Sequence, residues 1–130
     1  MPRIVITPAG WTSPRAPYSH AVLADGVLYV SGIVGQSPSG EIPRTVEEQT
    51  ALILELLSAI LHEAGGTLDD VTMNSVFLKN DNDFKAMNGV YERFFTRDPP
   101  ARCTVRADMM HPKYLVEIAS IAHLKRAENT

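Results

Sequence analysis

Cysteine is nearly missing from this chain. Cys103 is the single one in 130 residues, which excludes an intrachain disulfide framework. No apolar stretch is long and uninterrupted enough to span a bilayer. The opening MPRIVITPAG lacks the long apolar core of a secretory signal. No basic run interleaves with aromatics and the formal net charge is -3, so a nucleic-acid surface is not suggested. The histidines His20, His62, His111 and His123 fall in no His-x-His, HExxH or Cys-x-x-Cys spacing. No metal centre is expected, and they read as surface or interface residues. Gly32 and Gly35 lack the lysine and following helix of a phosphate loop. There is no internal repeat and no low-complexity linker. These absences predict a cytoplasmic protein with no membrane or nucleic-acid partner.

What is present reads as one soluble domain over residues 1–130, with 45% hydrophobic and 21% charged residues. That length buries a core without covalent staples. Four prolines in the first twenty residues, Pro2, Pro8, Pro14 and Pro17, leave room for little more than a short strand near Ile4–Ile6. AVLADGVLYVSG is a hairpin signal, with Asp25-Gly26 suited to a type I′ turn. A helix follows. Thr45 and Glu48 suit a capping box, apolar residues recur at 52, 53, 56, 57, 60, 61 and 64, and Gly65-Gly66 ends it. DDVTMNSVFL reads as a strand. DNDFKAMNGVYERFF reads as a second helix, begun by capping acids, with Phe84, Met87, Tyr91, Phe94 and Phe95 near one face and Pro99-Pro100 as its stop. Two strands close the chain. The order β-ββ-α-β-α-β-β predicts an α+β fold in which two helices cover one face of a four- to six-stranded sheet. The other face is expected to carry Thr72, Asn74, Thr104, Arg106, Glu117 and Ala119, mixed with Val76 and Ile121. That mixture is too apolar for full exposure, so a second subunit is expected to cover it.

Chemistry concentrates in the closing strands. Arg102 and Glu117 interrupt otherwise apolar runs, where a charge costs several kcal/mol unless paired or exposed. They are either an ion pair that sets strand register or a site. A planar guanidinium binds a carboxylate through two parallel hydrogen bonds. A nearby glutamate can hold a water and shuttle its proton. Together they suit metal-free hydrolysis of a small acid with an activated C=N bond. Cys103, beside Arg102, is weighed as a thiol nucleophile and read instead as a small buried apolar residue. The adjacent Ser19-His20 has no triad geometry. Asn88 is either a structural hydrogen-bonder or a ligand group.

The stretches APYSHAVLADGVLYVSG, PSGEIPRTVEEQT, EAGGTLDDVTMNSVFLKNDNDFKAMNGVYERFF, PPARCTV and VEIASIAHL, in that order, resemble the reactive intermediate deaminase family (RidA, YjgF or L-PSP proteins) over nearly the whole chain. ADGVLYVSG, AGGTLDDVTMNSVF and VEIASIAHL look most similar to the aminoacrylate deaminase of pyrimidine breakdown, the RutC type. The resemblance implies a chorismate-mutase-like fold, with three subunits packing their sheets into a barrel and sites in the clefts between them. It implies a cofactor-free hydrolysis of imine or enamine carboxylic acids. Arg102 of PAR clamps the substrate carboxylate and Glu117 of VEI orients the water. Tyr18, Gly32 and Asn88 line the pocket, and Thr104 contributes through its backbone. Three positions depart from the common family pattern: Ile33 where many members have glutamine, His20 where many have serine or glutamine, and Thr104 where many have cysteine, which here stands at 103. A ligand-sensing trimer without turnover and a ribonuclease are the rival functions.

Overall fold

Asp25 and Gly26 both take the left-handed conformation, with φ of 52° and 79°, which is the type I′ turn expected of the pair. In the computed structural model, which describes residues 2–125, this turn joins β2 (Ala21–Ala24) to β3 (Val27–Val34). Residues 1 and 126–130, which the domain reading includes, lie outside the described residues. The remaining elements are β1 (Ile4–Ile6), α1 (Val46–Glu63), β4 (Val71–Leu78), α2 (Phe84–Phe94), β5 (Ala101–Arg106) and β6 (Val116–His123). They build one six-stranded mixed sheet in the order β1-β2-β3-β6-β4-β5. Only β4 and β5 pair in parallel, as the crossover through α2 requires.

The two helices pack on one face of this sheet. From α1 come Ile53, Leu54, Leu57, Ile60 and Leu61, all essentially without solvent contact, and from α2 come Met87 and Tyr91. Leu28, Val30, Val76, Leu78, Val116 and Ile118 meet them from the sheet. The buried stripe of α1 is turned from the expected one. Val46, Gln49, Thr50 and Leu54 are buried, whereas Leu52, Leu56 and Ala64 are only half-buried. The helix ends act largely as expected. Thr45 accepts the Glu48 amide at 3.1 Å, but the Glu48 carboxylate accepts the Thr45 hydroxyl rather than closing a reciprocal box. At the C-terminus Gly65 takes φ 88°, and Gly65 and Gly66 donate to the carbonyls of His62 and Leu61, a Schellman arrangement. The acids before α2 form a short 3₁₀ turn, and Asp83 makes no side-chain cap.

Strand register corrects the expected division of the sheet faces. Asn74 opposes Ser120 on one side and Arg102 on the other, and Val76 opposes Ile118 and Thr104. Directly opposed residues share a face, and Ser120, Val76 and Ile118 are buried beneath the helices. Asn74, Val76, Arg102, Thr104 and Arg106 therefore face the helices rather than the open side. Asn74 tolerates burial because its amide donates to the Tyr91 hydroxyl at 2.8 Å and its carbonyl accepts from Ser120 at 2.6 Å. The open face carries Tyr29, Met73, Phe77, Cys103, Val105, Glu117, Ala119 and Ile121, with Tyr29 and Val105 among the exposed large apolar side chains. Cys103 is exposed there, against the expectation of burial.

Candidate functional site

The two charged residues singled out in the closing strands do not meet within one chain. β5 and β6 lie on either side of β4, so two strand spacings, roughly 10 Å, separate them. They also point opposite ways. Arg102 is in register with Asn74 on the helix face, and Glu117 is in register with Phe77 and Val105 on the open face. Within one chain, therefore, the two do not form the register-fixing ion pair.

Arg102 sits on an aromatic platform. Its guanidinium carbon lies 4.8 Å from the centre of the Tyr91 ring and 5.8 Å from that of Phe84. Such stacking is worth ~0.5–2 kcal/mol and leaves the edge of the guanidinium free. Among the described residues the ion pair present is Arg106 with Asp81 at 4.0 Å, so Arg102 carries no carboxylate partner. The buried chain Ser120–Asn74–Tyr91 fixes the platform from below. Asn88 lies four residues after Phe84 and three before Tyr91, which puts it on the same face of α2. Thr104 follows on the same side of β5, half-buried, and β5 is an edge strand with one row of backbone groups unpaired. Arg102, Asn88 and Thr104 thus come together at one sheet edge.

Glu117 belongs to a second cluster with Gly32 and Tyr18. The β3–β6 register shifts between Val30 and Ile33, so Ser31 and Gly32 form an irregular step in the ladder. A Cβ on Gly32 would lie 2.1 Å from Glu117 Oε2, so the carboxylate occupies the space a side chain would fill. Burial raises the Glu117 carboxyl above its ordinary range. The same effect, followed by the charges of Tyr18 and Glu117, raises the Tyr114 phenol. Tyr18 and Gly32 also line a cavity of about 620 Å³ bounded by Trp11, His20, Gln36 and Leu56. His20 stands edge-on to Trp11 at 5.1 Å, with its Nε2 2.8 Å from the Thr12 carbonyl oxygen. Ile33, in register with Ile118, packs toward the core, so its departure from glutamine changes the core side rather than the Glu117 side.

Sequence reasoning missed three participants. In the sequence pattern Tyr91 is a core residue only, and no motif marks Tyr114 or Gln49. Gln49 is fully buried. It donates to the carbonyls of Pro43 and Lys113 and accepts from the Leu115 amide, all within 2.9 Å. Its signal was a glutamine four residues before Ile53, in line with the buried stripe of α1. Among the described residues no cluster of three or more His, Cys, Asp or Glu is placed to hold a metal ion, and no helix is long and apolar enough to cross a membrane.

The profile of the endoribonuclease L-PSP family matches residues 11–124. Solved structures share the fold over nearly the whole chain. RidA from the Antarctic bacterium Psychrobacter is 30% identical, with a TM-score of 0.87 over 93% of this chain and 99% of its own. TdcF of E. coli, solved with bound serine, is 30% identical, with a TM-score of 0.87 over 94% of this chain and 99% of its own. The Rid-family protein YyfA of Yersinia pestis is 32% identical, with a TM-score of 0.86 over 95% of this chain and all of its own.

Proposed function

From the membership of this chain in the endoribonuclease L-PSP family, which includes the Rid proteins, we propose that it is a cofactor-free deaminase of small enamine and imine carboxylic acids, active as a homotrimer. The observation that carries this reading is the division of the site. An unpaired guanidinium stands on one sheet face at the edge, and a desolvated carboxylate stands over Gly32 on the other. Each is half of a carboxylate-and-water site, and two copies of the chain can bring the halves together. The uncovered apolar residues of the open face supply the surface on which subunits pack.

The chemistry follows from the two halves. The enamine tautomerises to its imine, which takes up a proton from solvent to become the iminium; Glu117 returns one proton to solvent at the end of the cycle. Arg102 holds the substrate carboxylate through a bidentate contact and so fixes the carbon of the C=N bond. Glu117 takes a proton from water as the C–O bond forms and the C=N electron pair moves to nitrogen. It then returns that proton to nitrogen. As the carbinolamine hydroxyl loses its proton to the carboxylate, the C–N bond breaks and the pair leaves with ammonia. A carboxyl raised by burial is a better base for this task than a solvated one. Tyr18, Gly32, Asn88 and the backbone at Thr104 complete the walls.

On the RutC-like stretches, 3-aminoacrylate is the preferred substrate within this class, ahead of 2-aminoacrylate and 2-aminomuconate. The serine bound by TdcF is an acid of similar size. The ribonuclease in the family's name is not carried over, because the net charge of -3 and the lack of a basic stripe oppose binding to a polyanion. The test is ammonia release from freshly generated 3-aminoacrylate, 2-aminoacrylate and 2-aminomuconate, corrected for spontaneous hydrolysis, with sedimentation equilibrium on the same sample. Release from at least one acid by a particle of three times 14.3 kDa is expected. Carboxylate binding without ammonia release would mark a ligand-sensing trimer instead. A tenfold preference for 2-iminopropionate, the imine of 2-aminoacrylate, would reject the pyrimidine-pathway substrate alone.

A further inference from the structure

Tyr114 is placed more tightly than a loop tyrosine needs to be. It lies three residues before Glu117 in the connection from β5 to β6. The buried Gln49 grips the backbone on both sides of it, accepting from the Leu115 amide at 2.9 Å and donating to the Lys113 carbonyl at 2.8 Å. A Cβ on Gly35 would meet Gln49 at 2.6 Å, so a glycine makes room for the grip. The Tyr114 ring packs against His111 at 5.1 Å. Its hydroxyl donates to Gln36 Oε1 at 2.6 Å. Gln36 is itself held, donating its amide to the Gly40 carbonyl at 3.1 Å, and it forms the wall of the cavity that Tyr18 and Gly32 line.

The hydrogen-bond inventory then sets what this oxygen offers. A phenol has one proton and two lone pairs. Gln36 takes the proton, so beside the cavity that Gln36 walls the oxygen is left with its lone pairs, as an acceptor. The deamination substrate has N–H donors on its reacting nitrogen, and its product has a carbonyl oxygen with none. Resting on the function proposed above, we propose that Tyr114 is a positioning residue that accepts a hydrogen bond from the substrate nitrogen and thereby favours the amine-bearing substrate over the carbonyl-acid product. The Gln36–Tyr114 bond is what enforces that polarity. The raised proton affinity of Tyr114 agrees with this, since it keeps the phenol neutral where Glu117 is ionised.

The test uses L-alanine and pyruvate as probes, which share a carbon skeleton and differ in amine against ketone. Both are titrated into the wild-type trimer, Tyr114→Phe and Gln36→Leu by calorimetry at neutral pH. Tyr114→Phe keeps the ring and the Gln49 grip. It is expected to weaken alanine about tenfold, the effect of losing a hydrogen bond to a charged group, and to leave pyruvate within twofold. In steady-state assays KM for the amine-bearing acid should rise in step with the weaker alanine binding, while kcat changes less because the Arg102 clamp still places the carboxylate. Gln36→Leu frees the phenol proton to donate, so pyruvate is expected to tighten relative to alanine by several-fold. Equal changes for both acids in both variants would overturn the role of Tyr114 and leave the deaminase reading standing. Failure of the wild type to bind either acid would overturn the carboxylate clamp, and the Tyr114 role with it.

Discussion

Gly32→Ala tests the water-holding half of the site without touching a charged group. An alanine Cβ would lie 2.1 Å from Glu117 Oε2, 3.0 Å from its Cδ and 3.3 Å from its Cγ. Ordinary contact begins near 3.4 Å, so the oxygen must retreat by about 1.3 Å. A misplacement of about 1 Å in a catalytic group can cost roughly a hundredfold in rate. The clash is with the far end of a flexible side chain, and Gly32 is not in the left-handed region, so the backbone accepts alanine. Replacing glycine at a compatible position stabilises by about 0.4–1 kcal/mol through the unfolded chain, which offsets part of the displacement.

Gly32→Ala is therefore expected to melt close to wild type, keep the wild-type assembly state and lose about a hundredfold in kcat, with KM nearly unchanged. The assay is ammonia release at saturating substrate, beside thermal unfolding of the same preparation. Turnover within threefold of wild type would refute the reasoning, because the carboxylate would then be free to move without consequence. A large drop in melting temperature would instead make Gly32 a structural residue.

Arg102→Lys keeps the charge but loses the bidentate fork, so kcat/KM should fall about tenfold to a hundredfold with the assembly state unchanged, as substrate titrations of the variant will read. Tyr91→Phe removes the acceptor of the buried Asn74 amide and should cost about 1–3 kcal/mol in urea unfolding, with the ring under Arg102 retained. Glu117 must be ionised to act as base and its carboxyl is raised by burial, so the acid limb of kcat/KM should lie above the ordinary carboxylate value near 4.5. A raised folded-state pKa adds stability below the unfolded value that is lost as pH rises through the folded one. Glu117→Gln should therefore gain on wild type in stability across that window and then hold a constant margin, as melting at stepped pH will show.

The elements were legible because local chemistry specifies them: Asp25-Gly26 for the hairpin, Thr45 and Gly65 for the limits of α1, Pro99-Pro100 as the stop beyond α2. The faces were not. Asn74 and Thr104 are polar, and in a strand of period two a polar residue reads as solvent-facing. Asn74 is buried all the same because the Tyr91 hydroxyl and Ser120, 17 and 46 residues away in sequence, satisfy it. No local pattern carries such a partnership. Arg102 and Glu117 were recognisable as misfits, but their relation depends on register, and a slip of one residue turns every side chain of a strand over. Cys103 shows the same failure in reverse. Being next to a helix-facing arginine, it must face the open side.

The separation of Arg102 from Glu117 makes a quantitative demand on the assembly. If each cleft takes its arginine from one subunit and its glutamate from the next, Arg102→Ala and Glu117→Ala trimers are each inactive, but a mixed trimer contains intact clefts. In a random equal mixture a cleft is intact when its arginine comes from the Glu117→Ala chain and its glutamate from the Arg102→Ala chain. That happens in about a quarter of clefts in a cyclic assembly with heterologous interfaces. Unfolding the two inactive variants together and refolding them should therefore recover about a quarter of wild-type ammonia release, while mixing without unfolding should recover none until subunits exchange. A site contained within one chain predicts no recovery under either protocol. The roughly 10 Å between β5 and β6 and the opposite facing of the two side chains are the observations from which the proposed shared cleft is argued. Sustained inactivity of a properly trimeric refolded mixture would break that link between sheet register and catalysis.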